Sequence, residues 1–332
     1  MIITRTPFRI SLFGGGTDYP DFYREHGGAV LAGSINRYCY LSVRHLPPFF
    51  DHTYRVVYSN SELTSSVADI VHPSVRECLR LMDIEHGLEI VHTGDLPARS
   101  GLGSSSSFTV GLLLALNAHK GRMVSKMELA EQAIRVEQDM IGENVGSQDQ
   151  TLAAFGGLNI ARFNGTKGDH IRVTPLCISR ERIQELESHL MLFFTGLVRN
   201  ASDIAQEQVR KIPRLTPELS AMRDMVDEGA AIINGSGDIR EFGRLLDCSW
   251  KIKRGLTDQI STARIDEIYE LARREGALGG KLLGAGGGGF LLLFARPQDH
   301  KRIAESIGIL RVPFSFEFCG AQFVLYEAPS VE

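Results

Sequence analysis

Leu96-Pro97-Ala98-Arg99-Ser100-Gly101-Leu102-Gly103-Ser104-Ser105-Ser106-Ser107 is the stretch on which the reading of this chain turns. It follows Leu88–Thr93, a run with the β-branched content of a strand, and opens into the apolar run Phe108–Ala118. A helix beginning here, expected over Ser104–His119, presents free N–H groups and the positive end of its dipole to whatever lies in front of it. Gly101 and Gly103 let backbone wrap closely around a ligand, and the serine hydroxyls can cap the helix or reach a metal. The segment therefore suits an anion such as a phosphate. It is not a Walker A loop, because no Lys-Ser/Thr pair follows the glycines. On spacing alone it serves equally well as a tight turn with an over-supplied N-cap.

Downstream, Ser125-Lys126-Met127-Glu128 carries a capping-box pattern and starts a helix expected over Lys126–Ile141. At 100° per residue Leu129, Ala133, Val136 and Met140 form its apolar stripe. Glu137 falls inside that stripe, whereas Glu128, Glu131 and Asp139 fall outside. An inward carboxylate needs a cation, either an arginine or a metal such as Mg²⁺. Asp149 follows in a glycine-containing turn. It is a helix cap or turn former, or a carboxylate that takes or orients a hydroxyl proton beside a nucleotide phosphate.

The first strand, expected over Arg5–Phe13, alternates Phe8, Ile10 and Leu12 against Arg9, Ser11 and Phe13. It ends in Gly14-Gly15-Gly16-Thr17-Asp18-Tyr19, with Arg9 on the face opposite the apolar residues. In a helix over Ile239–Arg254, Lys253 projects between Phe242, Leu246 and Leu256, either snorkelling past the helix end or waiting for an anionic substrate. Gly284-Ala285-Gly286-Gly287-Gly288-Gly289 matches G-x-G-x-x-G, but a dinucleotide fingerprint needs a strand before and a helix after. A helix (Asp266–Glu275) is expected before it and a strand (Phe290–Ala295) after. It is a second wall of a ligand cleft or simply a permissive turn.

The totals suit a soluble globular protein. The 332 residues favour two domains. With 36 basic and 40 acidic residues the net charge is −4, which argues against nucleic acid as a partner. A bilayer span needs about 20 apolar residues; Phe108–Ala118 is far shorter, so no membrane segment is expected. Five scattered cysteines, none in a C-x-x-C pair, fit a reducing cytoplasm, and the N-terminal residues lack a secretory layout. Further strands are expected over Tyr38–His45, Tyr54–Tyr58, Leu158–Phe163, Leu190–Phe194 and Val312–Phe318. Further helices are expected over Pro73–Met82, Asp203–Lys211 and Glu218–Ile233. The polar stretch Asn164–His170 marks a boundary between an N-terminal domain (1–165) and a C-terminal domain (166–332), in an α+β arrangement with a cleft between them. Monomer and homodimer are left open.

Three segments in order, Pro7-Phe8-Arg9-Ile10 through Gly14-Gly15-Gly16-Thr17-Asp18, Pro97 through Ser106, and Lys281-Leu282-Leu283-Gly284 through Gly289, resemble the motifs of the GHMP kinase superfamily. The resemblance spans nearly the whole chain. It implies an N-terminal domain like domain 2 of ribosomal protein S5 and a ferredoxin-like C-terminal domain. It implies ATP and Mg²⁺, with the phosphates on Pro97, Gly101, Leu102, Gly103, Ser104, Ser105 and Ser106, and the metal on Ser105 and Glu137. Asp149 and Arg9 would be the catalytic pair. Gly15, Gly16, Thr17, Asp18, Gly146, Gly286 and Gly287 would line the acceptor. Within the superfamily, the Phe-Gly-Gly-Gly-Thr-Asp form looks like kinases of D-glycero-D-manno-heptose 7-phosphate, a sugar phosphate taken at its anomeric hydroxyl. The cation for that 7-phosphate is expected at Lys253, then Arg199 and Arg37. A fucokinase- or galactokinase-like specificity and a catalytically silent sugar sensor are the rival readings. The presence of Ser105, Glu137 and Asp149 favours an enzyme over the sensor.

Overall fold

The computed structural model describes residues 1–98, 100–165, 171–197 and 201–328. Its spine is an antiparallel pair, β1 (Ile2–Phe13) with β2 (Gly28–His45), paired from Ile2↔Val43 to Phe13↔Leu31 with register shifts between Pro7 and Phe8 and between Ser11 and Phe13. β2 is far longer than the expected Tyr38–His45, because its first half, Gly28–Ser34, is small or apolar and pairs on both edges. Around this pair lie β3 (Tyr54–Val57), β4 (Ser61–Thr64), β5 (Leu88–Gly94), β6 (Leu158–Phe163) and β7 (Ile171–Pro175). The second sheet contains β8 (Leu190–Phe194), β9 (Ala277–Leu282), β10 (Phe290–Ala295) and β11 (Leu310–Val312), and β12 (Gln322–Tyr326) returns to the first. The sheet orders are β12-β1-β2-β5-β3-β4, with β6 and β7 branching from β2, and β11-β8-β10-β9. The second order, all antiparallel, is that of a ferredoxin-like domain.

The helices are α1 (Pro20–His26), α2 (Pro73–Leu81), α3 (Ser104–His119), α4 (Lys126–Ile134), α5 (Gln148–Phe155), α6 (Arg180–His189), α7 (Ala201–Asn234), α8 (Arg240–Gly255), α9 (Ala263–Arg274) and α10 (His300–Ile307). The α+β expectation holds. Among the described residues no helix is long and apolar enough to cross a membrane. α3 is the expected core helix, buried from Ser106 to Ala118. The helix expected to Ile141 is α-helical only to Ile134 and then continues as a π-helix, Arg135–Ile141. Met140, expected on the apolar stripe, is therefore only half-buried.

Several boundaries move for identifiable reasons. The two helices expected on either side of Pro213 and Pro217 are one 34-residue helix, α7. Both prolines lie on its exposed side, where water takes the carbonyls they leave unpaired, and the Thr216 hydroxyl donates to the Ile212 carbonyl at 3.2 Å. β9 hides among glycines because Gly279 packs directly on α8: a Cβ there would stand 1.9 Å from the Gly243 carbonyl oxygen. The Gly284–Gly289 loop consequently joins two strands, β9 and β10, and the dinucleotide reading stays excluded by the strand that follows it. Val312–Phe318 is not a strand beyond Val312; Glu317 N–H instead donates to Ser34 O at 2.8 Å, carrying the chain back to the first sheet. The expected division at residue 165 falls in the connection between β6 and β7, which pair with each other, and β12 pairs with β1, so both stretches of chain contribute to the first sheet.

Strand β1 is buried on both faces. Phe13 meets Phe242 of α8 edge-on at 5.1 Å, and Phe242 meets Phe294 of β10 at 5.9 Å, within one apolar core shared by the two sheets. This continuity positions the site, because the loops that end β1 and β9 and the start of α3 meet at the seam.

Candidate active site

The N-terminus of α3 is shaped by two left-handed glycines, Gly101 (φ 82°) and Gly103 (φ 75°). A Cβ on Gly101 would stand 2.6 Å from the Leu283 carbonyl oxygen, and one on Gly103 3.3 Å from both Arg9 Cγ and Asp149 Oδ2. The glycines thus let the loop close against the β9–β10 turn and against Asp149 at once. Gly103 caps the helix without a side chain, so the serines are not spent on Gly103's cap position. Ser107 donates to the Pro7 carbonyl at 2.9 Å and Ser106 to Glu137 Oε2 at 2.8 Å, while Ser105 is exposed to the cavity.

Arg9 is not a surface arginine: it is 3% exposed. Its Nε and Nη2 donate to Asp149 Oδ1 and Oδ2 at 2.7 and 2.6 Å, and its Nη1 donates to the Gly101 carbonyl at 2.7 Å. A bidentate clamp of this kind fixes the carboxylate plane as well as its position. Asp149 stands in the first turn of α5 and caps nothing there. Its carboxylate faces a cavity of about 220 Å³ that Gly103, Ser105 and Ser106 also line.

Glu137 is fully buried, as the helical phase predicts. Its Oε2 accepts from Ser106 and from the Gln150 amide, and its Oε1 has no partner. Burial pushes its carboxyl up to about 7. Among the described residues no lysine or arginine pairs with it. Ser106 makes this contact, while Ser105, expected with Glu137 at the metal, lines the cavity one position before it. Mg²⁺ is typically held by one or two carboxylates together with phosphate oxygens and water. An orphaned carboxylate oxygen joined through Ser106 to the phosphate loop fits that donor set.

The Gly14–Tyr19 turn supplies the opposite wall. Gly15, Gly16, Asp18 and Gly146 line the cavity as expected. Asp18 accepts from Gly16 N–H at 2.9 Å and from Gln148 N–H at 3.3 Å; burial, then the charge of Asp149, raises its carboxyl above the ordinary 3.8. A Cβ on Gly146 would stand 1.8 Å from Asp18 Oδ2, so only glycine fits there. Thr17 does not reach the cavity. It is fully buried, its hydroxyl lying 2.8 Å from Gly14 O and 2.9 Å from Ala29 O and accepting Ala29 N–H at 3.1 Å.

The remaining expectations divide. Lys253 lines the cavity, but its amine donates to the Leu282 and Gly284 carbonyls at 3.2 and 2.6 Å, and burial, then Arg9, lowers it to about 8. Gly284 and Ala285, not Gly286 and Gly287, form that wall; Gly286 packs on Ile260 and Gly287 N–H donates to the Ile260 carbonyl at 2.9 Å. Leu102 is buried, its carbonyl accepting Arg9 N–H at 3.0 Å, and Pro97 lies exposed outside both cavities. Arg37 is engaged with the Pro313 carbonyl. Arg199 lies outside the described residues.

A second cavity, of about 850 Å³, adjoins the first at Ser104, Ser105 and Glu143. Tyr58, His72, His92 and Phe108 give it aromatic walls, and Ser59 and Asn60 give it a polar edge. Its residues come from separate segments with no shared motif, so sequence spacing carries no signal for it. Gln208 of α7, also missed, does carry one: it falls at i+4 from Ile204 and i−4 from Ile212, a polar residue in an apolar stripe like Glu137.

Residues 68–157 match the family described as GHMP kinases N terminal domain, and residues 230–309 the one described as GHMP kinases C terminal. The chain is also 31% identical to D-glycero-alpha-D-manno-heptose 7-phosphate kinase of Campylobacter jejuni, over 92% of this chain and 93% of that protein. The chain belongs to the GHMP kinase family. Like the family, this GHMP kinase is an ATP-dependent phosphotransferase. It is 23% identical to a galactokinase of Thermotoga neapolitana, over 91% and 92% of the two chains. A solved structure described as "a D-glycero-D-manno-heptose 1-phosphate kinase from Bacteriodes thetaiotaomicron" superposes with a TM-score of 0.77 at 25% identity, covering 99% of this GHMP kinase and all of that chain.

Proposed function

We propose that this kinase transfers the γ-phosphoryl group of ATP to the anomeric hydroxyl of D-glycero-D-manno-heptose 7-phosphate. The product, heptose 1,7-bisphosphate, would supply GDP-heptose and surface-glycan synthesis in the cytoplasm. The observation that carries the transfer chemistry is the Arg9–Asp149 clamp, which holds a carboxylate against the glycine loop at the start of α3. The relative of Campylobacter jejuni supports the heptose phosphate acceptor.

In this reading the nucleotide base occupies the larger cavity, against the mutually packed rings of Tyr58, His72 and Phe108, and the phosphates lie on Gly101–Ser106 at the positive end of α3. Glu137 and Ser106 would hold Mg²⁺, with Ser105 beside them, and the ion would neutralise charge on the transferring phosphoryl. Asp149 accepts the hydrogen bond of the acceptor hydroxyl and takes its proton as the new phosphate ester forms and the bond from the γ-phosphorus to the departing ADP oxygen breaks. Arg9 keeps that carboxylate oriented and anchors it to the phosphate loop through the Gly101 carbonyl.

A second reading, in which the acceptor carries its phosphate at the anomeric carbon instead, is favoured by the description of the superposed Bacteriodes kinase. An ATP-consumption assay separates the two, with heptose 7-phosphate, heptose 1-phosphate, free heptose, fucose, galactose and mannose as acceptors. The expected result is high kcat/KM for heptose 7-phosphate alone, with a new anomeric phosphate in the phosphorus NMR spectrum. Preference for heptose 1-phosphate or for a free sugar overturns the proposed acceptor, and the absence of ATP turnover with every sugar overturns the transfer reading.

A further inference from the structure

The smaller cavity holds polar atoms that neither the metal nor the Asp149 chemistry uses. Ser11 Oγ, Gln148 Oε1 and Gln208 Nε2 are buried, have no hydrogen-bond partner and belong to residues that line this one cavity. Ser11 and Gln208 are 4% and 2% exposed. They arrive from three elements, β1, the start of α5, and α7, and meet at two adjacent glycines. Ser11 Oγ lies 3.1 Å and the Gln148 side-chain nitrogen 3.9 Å from where a Gly15 Cβ would stand. Gln208 Nε2 lies 2.6 Å from where a Gly16 Cβ would stand. The missing side chain at Gly16 (φ 104°) is the space into which the Gln208 amide fits.

Buried polar atoms in a folded chain are almost always paired, and several orphans gathered around one cavity point to a partner the bare protein lacks. Three orphans around one cavity describe that partner. Gln208 offers an N–H donor, Gln148 a carbonyl acceptor, and Ser11 a hydroxyl that serves as either. The set carries no charge, and the charged groups nearby are spent: Asp18 on the Gly16 and Gln148 N–H groups, Lys253 on the β9–β10 turn, Arg9 on Asp149. Neutral donors and acceptors on neighbouring backbone positions suit adjacent hydroxyls of a polyol rather than a phosphate or a carboxylate.

We propose that Ser11, Gln148 and Gln208 form the face that reads the ring hydroxyls of the acceptor, and that Gln208 sets which sugar is taken. This rests on the reading of the cavity as the acceptor site of a sugar kinase. A site built to hydrogen-bond a substrate hydroxyl rejects the analogue lacking it far more strongly than an apolar pocket rejects an extra methylene. Gln208 therefore discriminates through the hydroxyl it meets, while Asp149 acts on the hydroxyl that reacts.

Gln208→Leu and the shape-conserving Gln208→Glu test this. The measurements are the Tm of the free protein, KM for ATP and for the accepted sugar, and kcat/KM for a series of that sugar's singly deoxygenated analogues. Gln208→Leu is expected to keep or raise the Tm of the free protein, because it removes an orphaned amide. It raises KM for the sugar at least tenfold and leaves KM for ATP within twofold. One deoxy analogue, disfavoured at least tenfold by the unaltered kinase, becomes equal for kinase and variant. Gln208→Glu, which exchanges the donor for an acceptor, loses the sugar likewise and retains ATP. A lower Tm with unchanged sugar KM, or an equal fall for the sugar and every analogue, overturns the proposal. Should the unaltered kinase turn over neither heptose phosphate, the acceptor reading fails on its own, and sugar-dependent Tm shifts with ADP then decide the Gln208 reading. A shift with fucose, galactose or mannose that Gln208→Leu abolishes upholds it, and no shift with any of them overturns it.

Discussion

Replacing Glu137 by Gln should trade activity for stability, the stability gain being set by the burial of this side chain. In the folded chain the Glu137 carboxyl ionises near 7, against an ordinary value of 4.5. The folded state therefore binds more protons than the unfolded state between those two values. Its stability contribution is intact below about 4.5 and is lost as pH rises through about 7. At pH 8 the buried charge costs the metal-free fold about 3 kcal/mol, from about 1.36 kcal/mol for each pH unit between the two ionisations. A glutamine keeps the acceptor for Ser106 and Gln150 and removes the charge. At about 2.1 cal/mol/K per residue of unfolding entropy, that relief raises Tm by about 4 °C in chelator at pH 8 and by almost nothing at pH 4.5. Mg²⁺ binding to the unaltered kinase should release a proton below pH 7, so its affinity should fall about fivefold from pH 7 to pH 6. Scanning calorimetry with chelator, and Mg²⁺ titrations in two buffers of different ionisation heat, read both effects. A Glu137→Gln Tm that is unchanged or lower at pH 8, or metal binding without proton release at pH 6, refutes the reasoning.

Three other substitutions test the remaining assignments. Asp149→Asn should lower kcat by about 10²–10⁴-fold with little change in KM for ATP; a variant retaining a tenth of the activity would remove Asp149 from the chemistry. Thr17→Val removes a fully buried hydroxyl bonded to backbone and should cost about 1–3 kcal/mol, read as a lower Tm, with sugar KM changed less than threefold. Lys253→Met frees the Leu282 and Gly284 carbonyls beside Gly101, so KM should rise for ATP as well as for the acceptor; a rise confined to a phosphorylated acceptor would restore Lys253 as its anion site.

What sequence revealed here depended on whether a residue's role is set locally. Glu137 was visible because a carboxylate on an apolar helix stripe violates a short-range pattern. The glycine loop was visible because only a few residue types turn a strand into a helix so tightly. Arg9 and Asp149 were visible as candidates, but their clamp joins residues 140 positions apart and no spacing rule reports it. Thr17 misled because a turn residue at a site looks the same whether it faces the ligand or the core. The Ser106–Glu137 hydrogen bond depends on how two helices face each other, which needs the partner helix in place. The larger cavity assembles from short segments on different strands and loops, and only the fold brings them together. β9 was hidden by its own glycines, which serve close packing on α8 rather than flexibility.

Arg135–Ile141 winds with one more residue per hydrogen-bonded turn than the helix before it. Such a segment is reached from an ordinary α-helix by a single-residue insertion and lost by a single-residue deletion. Removing one residue between Ile134 and Glu137 would turn Glu137 by about 100° around the helix axis relative to α4, away from the Ser106 hydroxyl it accepts from. A one-residue deletion there is therefore expected to remove the Ser106–Glu137 contact while the Arg9–Asp149 clamp, which no residue of this segment joins, keeps its partners.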